Sequence, residues 1–161
     1  MNKAKLKSCL WLMLSAALLA ADYFSKRWAE SFLKGSGRRV LIPGVLGLCY
    51  AENTGAAFSA LSGATVFLSL VSVAVCIAVA VYMVIRSQKW FMQLPLSMIL
   101  AGGLGNLIDR VTCGFVIDYF EFLFVRFAIF NLADVYITVG AAALMLALLF
   151  GGEQIGRMDR K

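Results

Sequence analysis

The sequence predicts an α-helical membrane protein with four transmembrane helices, a small periplasmic β-sheet and a surface helix or flap. Of the 161 residues, 61% are hydrophobic, whereas a soluble domain is about 45–50% apolar. The excess lies in runs without any charged residue, at 64–85, 90–108 and 135–152. Each run is close to the roughly 20 residues that cross a bilayer as a helix. We therefore expect a single integral membrane domain over residues 1–161.

The first helix is predicted over about residues 5–33. Its apolar run, Ser8 to Ala21, is short, but it reaches spanning length if the helix continues through Asp22 toward Trp28. Lysines before this run resemble the start of a cleavable signal peptide. We favour a retained helix, because polar side chains at helical spacing continue the run and further spans follow. Glycines at 35 and 37 are a plausible stop signal.

Two segments outside the membrane are predicted, at about 34–62 and 111–131. The first has short strand-like stretches at 40–42 and 45–50 around Pro43-Gly44, and then a loop and helical turn at 51–61 that form the flap. In the second, Val116, Asp118, Phe120 and Phe122 fall on one side of a strand. Pairing of the two segments into one sheet is the simplest arrangement. The remaining helices are predicted at about 63–86, 90–110 and 132–151.

The distribution of lysine and arginine predicts that both termini are cytoplasmic. Basic residues concentrate at the two ends of the chain and in the short loop between the second and third helices, as the positive-inside rule requires. The net charge of +6 therefore reports topology and contact with anionic membrane lipid, and nothing indicates a nucleic-acid partner. With no histidine in the chain, we expect no zinc site of the common kind. Whether Cys49 and Cys113 pair is left open.

Asp118 and Asp134 are the candidate catalytic residues. A carboxylate at the bilayer centre costs about 2.5–3.5 kcal/mol on insertion scales, so such residues are usually functional. Two carboxyls that share a proton can activate a water molecule, as in aspartic proteases. Each aspartate also has an alternative, non-catalytic interpretation. Asp118 would be a solvated loop residue, and Asp134 would form a capping pair with Asn131 at the start of the fourth helix.

Other polar residues beside the apolar spans are candidates for a supporting role. Gly102, Asn106 and Arg110 are spaced four apart on one face of the third helix. Helix packing explains the glycine but leaves Asn106 unexplained. Two further groups are an acid–base pair on the first helix and a small-residue loop on the outer side. The supporting set is Asp22, Lys26, Asn53, Gly102, Asn106, Asp109, Arg110 and Asn131.

These residues lie in motifs whose order along the chain resembles the lipoprotein signal peptidases (signal peptidase II). Each motif alone is weak, but five in this order on a four-helix chain are specific. The motifs are Asp22-x-x-Ser25-Lys26, Asn53-Thr54-Gly55-Ala56-Ala57-Phe58, Gly102-Gly103-x-Gly105-Asn106-x-x-Asp109-Arg110, Val116-x-Asp118-Tyr119 and Phe130-Asn131-x-Ala133-Asp134.

The resemblance implies a membrane aspartic endopeptidase of the bacterial cytoplasmic (inner) membrane. It would remove signal peptides from diacylglyceryl-modified prolipoproteins, cutting before the lipidated cysteine with Asp118 and Asp134 near the periplasmic face. A monomer, and inhibition by globomycin-type antibiotics, are expected. The alternatives are a small proton- or ion-coupled transporter, with the aspartates as a relay, and a membrane scaffold packed through the glycines of the third helix.

Overall fold

Four long helices dominate the computed structural model, which describes residues 3–55, 65–85 and 89–158. They are α1 (Lys3–Leu33), α2 (Thr65–Ile85), α3 (Trp90–Cys113) and α4 (Leu132–Met158). Each contains a stretch long and apolar enough to cross a membrane: Ser8–Leu33, Thr65–Ile85, Trp90–Cys113 and Leu132–Phe150. The predicted four-helix architecture is confirmed. Of the predicted flap at 51–61, residues 56–61 lie outside the described residues, and 51–53 form the end of a β-strand instead of a loop.

α3 is the central helix of the bundle, and glycines let its neighbours approach closely. Half of its span is buried inside the protein, against 11% for each of the other three. A Cβ atom added at Gly102 would collide with the carbonyl oxygen of Ala133 on α4. One added at Gly140 of α4 would lie 2.9 Å from the carbonyl oxygen of Pro95. The helix-packing alternative for Gly102 is therefore correct.

Two helices run further than the sequence indicated. α3 ends at Cys113 instead of at about Arg110, because Gly114 is the first residue that readily adopts the left-handed conformation. Its φ is 82°, and its N–H donates to the Arg110 carbonyl oxygen at 3.1 Å. α4 continues to Met158 instead of ending at about 151, because the glycines at 151 and 152 weaken a helix without stopping it.

The two outer segments pair into one antiparallel sheet in the order β1–β2–β3. The strands are β1 (Arg39–Ile42), β2 (Leu46–Asn53) and β3 (Val116–Phe122). The predicted pairing of the two segments is thus confirmed, although β2 is longer than the predicted strand. In the β2–β3 ladder, Ala51 lies opposite Asp118. This register puts the end of β2 beside the carboxylate of Asp118.

β3 packs against the C-terminal part of α1. Tyr119 packs with Ala29 and Leu33 of α1 and with Leu48 of β2 in a buried cluster. Its phenol donates a hydrogen bond to the Ser25 hydroxyl at 2.8 Å. Since neighbouring side chains on a strand point in opposite directions, Asp118 faces away from this cluster. All four cysteines are free thiols, which settles the open question of Cys49 and Cys113.

Candidate active site

Asp118 and Asp134 line the same cavity, which has a volume of about 450 Å³. Asp118 comes from the middle of β3, and Asp134 from the first turn of α4. Three residues of the strand face predicted from alternation, Val116, Asp118 and Phe122, line the cavity. Phe120, predicted on the same side, instead packs against the cluster around Tyr119. Further lining residues are Asn53, Gly55, Asn106, Arg110, Phe127, Ala128, Ile129, Phe130, Val135, Ile137, Thr138 and Val139.

Asp134 is fixed by the start of its own helix and by α3. Its carboxylate accepts the Asn131 backbone N–H at 3.1 Å, and its own backbone N–H donates to the Asn131 side-chain oxygen at 2.9 Å. This is the predicted capping pair, which satisfies two backbone donors of the first turn. The second carboxylate oxygen accepts the Asn106 amide at 2.8 Å. Asp134 therefore both caps the start of α4 and lines the cavity.

Asp118 is held by two side-chain amides. Asn131 donates to one carboxylate oxygen at 2.7 Å, and Asn53 donates to the other at 2.9 Å. Asn131 thus bonds to both aspartates, through its side chain to Asp118 and through its backbone to Asp134. All four carboxyl oxygens of the pair have an N–H donor, which leaves their remaining lone pairs for a water molecule or a substrate.

The side-chain amides of Asn53, Asn106 and Asn131 cannot rotate by 180°, because each amide oxygen already faces a group that only donates. The Asn106 oxygen accepts from the Lys26 ammonium at 3.0 Å. The Asn131 oxygen accepts the Asp134 backbone N–H, and the Asn53 oxygen accepts the Gly55 backbone N–H at 3.0 Å. A flipped amide would place its oxygen against a carboxylate oxygen and its NH2 group against an ammonium or N–H donor. The network therefore presents N–H groups to both carboxyls.

Behind the cavity, a buried ionic cluster ties the two aspartates to the bundle. The Lys26 ammonium lies 2.9 Å from Asp22 and 3.0 Å from Asp109. Asp22 accepts the backbone N–H of Ala133, the residue before Asp134, at 2.9 Å. Asp109 accepts the backbone N–H of Ile117, the residue before Asp118, at 3.2 Å. Lys26 thus joins two carboxylates that each hold the backbone next to one member of the pair.

The surroundings of Asp118 favour its protonated form. Burial raises the pKa of Asp118 to about 7, and the nearby charge of Asp134 adds to the rise. The amides of Asn53 and Asn131 and the charge of Lys26 act in the opposite direction. Desolvation by burial is the largest cause of the rise. At neutral pH, Asp118 is therefore poised between its two forms.

Arg110 closes one end of the cavity. Its guanidinium donates at 3.4 Å to the Gly55 carbonyl oxygen and at 3.5 Å to the Asn106 carbonyl oxygen, both long for such bonds. Its Nε atom is buried without a hydrogen-bond partner among the described residues. Arg110 therefore keeps hydrogen-bonding capacity beside the two carboxyls. Gly102, by contrast, does not line the cavity and serves helix packing.

Two contributors were missing from the residues singled out in the sequence. A Cβ atom at Gly105 would collide with the Asp22 carboxylate, so only glycine leaves room for the ionic cluster. The available signal was the small-residue spacing from Gly102 to Gly105. Tyr119 anchors β3 through Ser25. A tyrosine directly after Asp118 on a mostly apolar strand was its signal, because a buried phenol needs a partner.

Comparisons with known proteins agree on one family. Residues 14–150 match the family model described as "Signal peptidase (SPase) II". A lipoprotein signal peptidase of Streptococcus thermophilus (strain CNRZ 1066) is 42% identical over 133 residues, covering 82% of this chain and 87% of that protein. One of Lactobacillus gasseri is 36% identical over 150 residues, covering 92% and 97%.

Solved structures show the same fold. A bacterial membrane enzyme determined by the in meso method at 1.9 Å resolution superposes with a TM-score of 0.79 at 30% identity. The match covers 88% of this chain and 93% of that one. A second such structure, at 2.3 Å, gives a TM-score of 0.78 at 29% identity and covers 87% of both chains. Sequence, fold and family model therefore agree, and the chain belongs to the signal peptidase II family of aspartic-type membrane peptidases.

Proposed function

We propose that this protein cuts diacylglyceryl-modified bacterial prolipoproteins immediately before the lipidated cysteine, with Asp118 and Asp134 as the catalytic pair. Membership of the family already supports cleavage of lipoprotein signal peptides. The observation that carries the finer proposal is the convergence of two carboxyls from distant segments on one cavity, held by a shared asparagine, Asn131. No cofactor takes part in the proposed reaction.

The two carboxyls have different surroundings, and these suit different roles. Asp134 lies in the first turn of α4, where the positive end of the helix dipole stabilises a carboxylate. It therefore acts as the base that takes a proton from the attacking water. Asp118, with its pKa of about 7, carries the shared proton and donates a hydrogen bond to the scissile carbonyl oxygen. A proton then passes to the leaving amide nitrogen as the C–N bond breaks.

The rest of the cavity suits a lipidated, extended substrate. Ile137, Thr138 and Val139 of α4 line the cavity, and so do Phe122 and Phe127. This apolar part would take the acyl chains and small side chains near the cut. The Gly55 carbonyl and Arg110 would meet backbone groups of an extended peptide. Asp22, Lys26, Asn53, Asn106, Asp109 and Asn131 hold the catalytic pair in place.

The proposed setting is the bacterial inner membrane, with both termini cytoplasmic and the cavity near the periplasmic surface. The enzyme would act as a monomer, and a globomycin-type antibiotic would compete with substrate for the cavity. A proton-coupled transporter is the weaker reading. A relay should place ionisable groups across the depth of the membrane, whereas Asp22, Asp109, Asp118 and Asp134 are gathered at one end of the bundle.

Cleavage of a diacylglyceryl-modified precursor by purified protein tests the proposal. Asp118→Asn and Asp134→Asn should each abolish cleavage while the protein stays inserted and folded. Glu121→Gln is the matched control, because Glu121 lies on the same strand as Asp118 and bonds to Arg38 outside the cavity. Normal cleavage by both aspartate variants would reject the catalytic pair. A proton flux through wild-type vesicles that both variants lose would favour transport.

A further inference from the structure

Large apolar side chains are exposed at one end of the sheet, where Leu46 pairs with Phe122, opposite the end that carries Asn53 and Val116. They come from the β1–β2 hairpin and from the loop after β3, and we call them together the apolar tip. Its members, with their exposed fractions, are Val40 (60%), Leu41 (54%), Ile42 (48%), Val45 (45%), Phe124 (67%), Val125 (48%) and Phe127 (48%). Exposure of this surface to water would be unfavourable. Exposed apolar clusters of this kind mark interaction sites.

The two parts of the tip form one surface. The Leu123 backbone N–H donates to the Val45 carbonyl oxygen at 2.9 Å. The Leu123 side chain also lies against Gly47, where an added Cβ atom would meet it at 3.0 Å. A partner that binds the hairpin therefore also contacts the loop that carries Phe124.

The residues that line the cavity indicate the position of the apolar tip along the axis of the helix bundle. Phe127 lines the cavity together with Val139, which belongs to the membrane span of α4. Val139 is about 10 Å along the helix axis from Leu132, at 1.5 Å per residue. The loop therefore borders a cavity that extends alongside the membrane span of α4. On this basis we place the apolar tip next to the apolar surface of the spans.

Basic side chains border the tip. Arg39 precedes Val40, and Arg126 lies between Val125 and Phe127. In the part of the chain that the structure describes, neither arginine forms an ion pair. Arg38, in contrast, is paired with Glu121. An apolar surface edged by unpaired cations matches the boundary between acyl chains and anionic headgroups.

We infer that the apolar tip inserts into the half of the bilayer on the sheet's side, with Arg39 and Arg126 at the level of the lipid phosphates. The membrane then supports the loop that forms one wall of the cavity. This inference rests on the four spans and not on the proposed chemistry, so each can fail without the other.

Spin labels measure the depth of the tip directly. Single cysteines at Leu41 and Phe124, in a full-length variant whose four native cysteines are replaced, are labelled and reconstituted into phosphatidylethanolamine–phosphatidylglycerol vesicles. Collision rates with oxygen, which partitions into lipid, and with a water-soluble nickel chelate give the depth. Met145, exposed on α4 within the span, is the lipid control. Ser36, exposed between α1 and β1, is the water control.

We expect both tip labels to lie about 5–10 Å below the phosphates, as interfacial segments do, with Ser36 in water. Arg39→Gln with Arg126→Gln should move the Leu41 label toward water in these vesicles and leave it unchanged in vesicles of neutral lipid. Tip labels as accessible to nickel as Ser36 would overturn the inference. So would dipolar broadening between Leu41 labels of two molecules, since a second copy of the chain would then cover the tip.

Discussion

Replacing Asn53 by alanine should move the alkaline limb of the pH–activity profile to higher pH. In the proposed mechanism cleavage requires a protonated Asp118, so we expect wild-type activity to fall as the pH rises through about 7, the value to which burial raises the pKa of this carboxyl. The Asn53 amide donates to the Asp118 carboxylate at 2.9 Å and stabilises its ionised form. Without this bond the pKa rises further, and the protonated form persists to higher pH.

The size of this shift follows from the strength of one hydrogen bond to a charged group. Such a bond contributes about 1.5–3 kcal/mol, and one pKa unit corresponds to about 1.4 kcal/mol. Asn131 still donates to the other oxygen of Asp118, and water can replace part of the lost bond. We therefore expect a shift of about one pH unit. Asp134, Lys26 and Arg110, the charged groups around Asp118, are unchanged in this variant.

The assay measures kcat/KM for a lipidated precursor peptide between pH 5 and pH 10 in a single detergent. Glu52→Gln is the matched control, because Glu52 is the neighbouring residue on β2 and bonds to Lys34 and Tyr50, not to the catalytic pair. It should leave the profile in place. An alkaline limb that stays at the wild-type position, or moves to lower pH in Asn53→Ala, would refute the assignment of Asp118 as the acid.

Three further substitutions test the support of the site. Lys26→Met leaves the buried Asp22 without its cation and Asp109 with only the longer contact to Arg27 at 3.5 Å. Breaking a buried ion pair costs about 3–5 kcal/mol, so thermal unfolding in detergent should show a large loss, and an unchanged midpoint would contradict the role given to Lys26. Gly105→Ala places a methyl group against the Asp22 carboxylate, so activity should fall sharply; full activity would show that the cluster tolerates displacement. Tyr119→Phe loses one hydrogen bond to Ser25, and stability measured by denaturant should fall by about 1 kcal/mol, with no change meaning that β3 does not depend on this anchor.

The transmembrane helices could be predicted because their signal is local. A run such as 64–85 contains no charged residue, and its length alone indicates a span. The capping pair of Asn131 and Asp134 was equally local, since both residues belong to one helix turn. Alternation along β3 placed Asp118 and Phe122 on the same side, and both line the cavity. The ends of α3 and α4 were less certain, because glycines and interfacial residues only weaken a helix.

The partners of Lys26 could not be read from the sequence. The i, i+4 spacing indicated Asp22, but Asn106 and Asp109 are far away in the chain and meet Lys26 only because α1 packs on α3. The necessity of Gly105 has the same origin, since it depends on which side chain of α1 fills the space. Contacts of this kind depend on the rotation of each helix about its axis, which tertiary packing fixes.

The sequence by itself determined the number of spans, the two strand-forming segments and the pair of aspartates beside the apolar runs. Hydropathy, alternation and capping are properties of neighbouring residues, so they are written in short stretches of chain. Only the tertiary structure decided that Asp118 and Asp134 share one cavity and that Asn131 bonds to both. That outcome depends on the sheet register and on the close packing of α3 against α4, and both arise from contacts between segments distant in the chain.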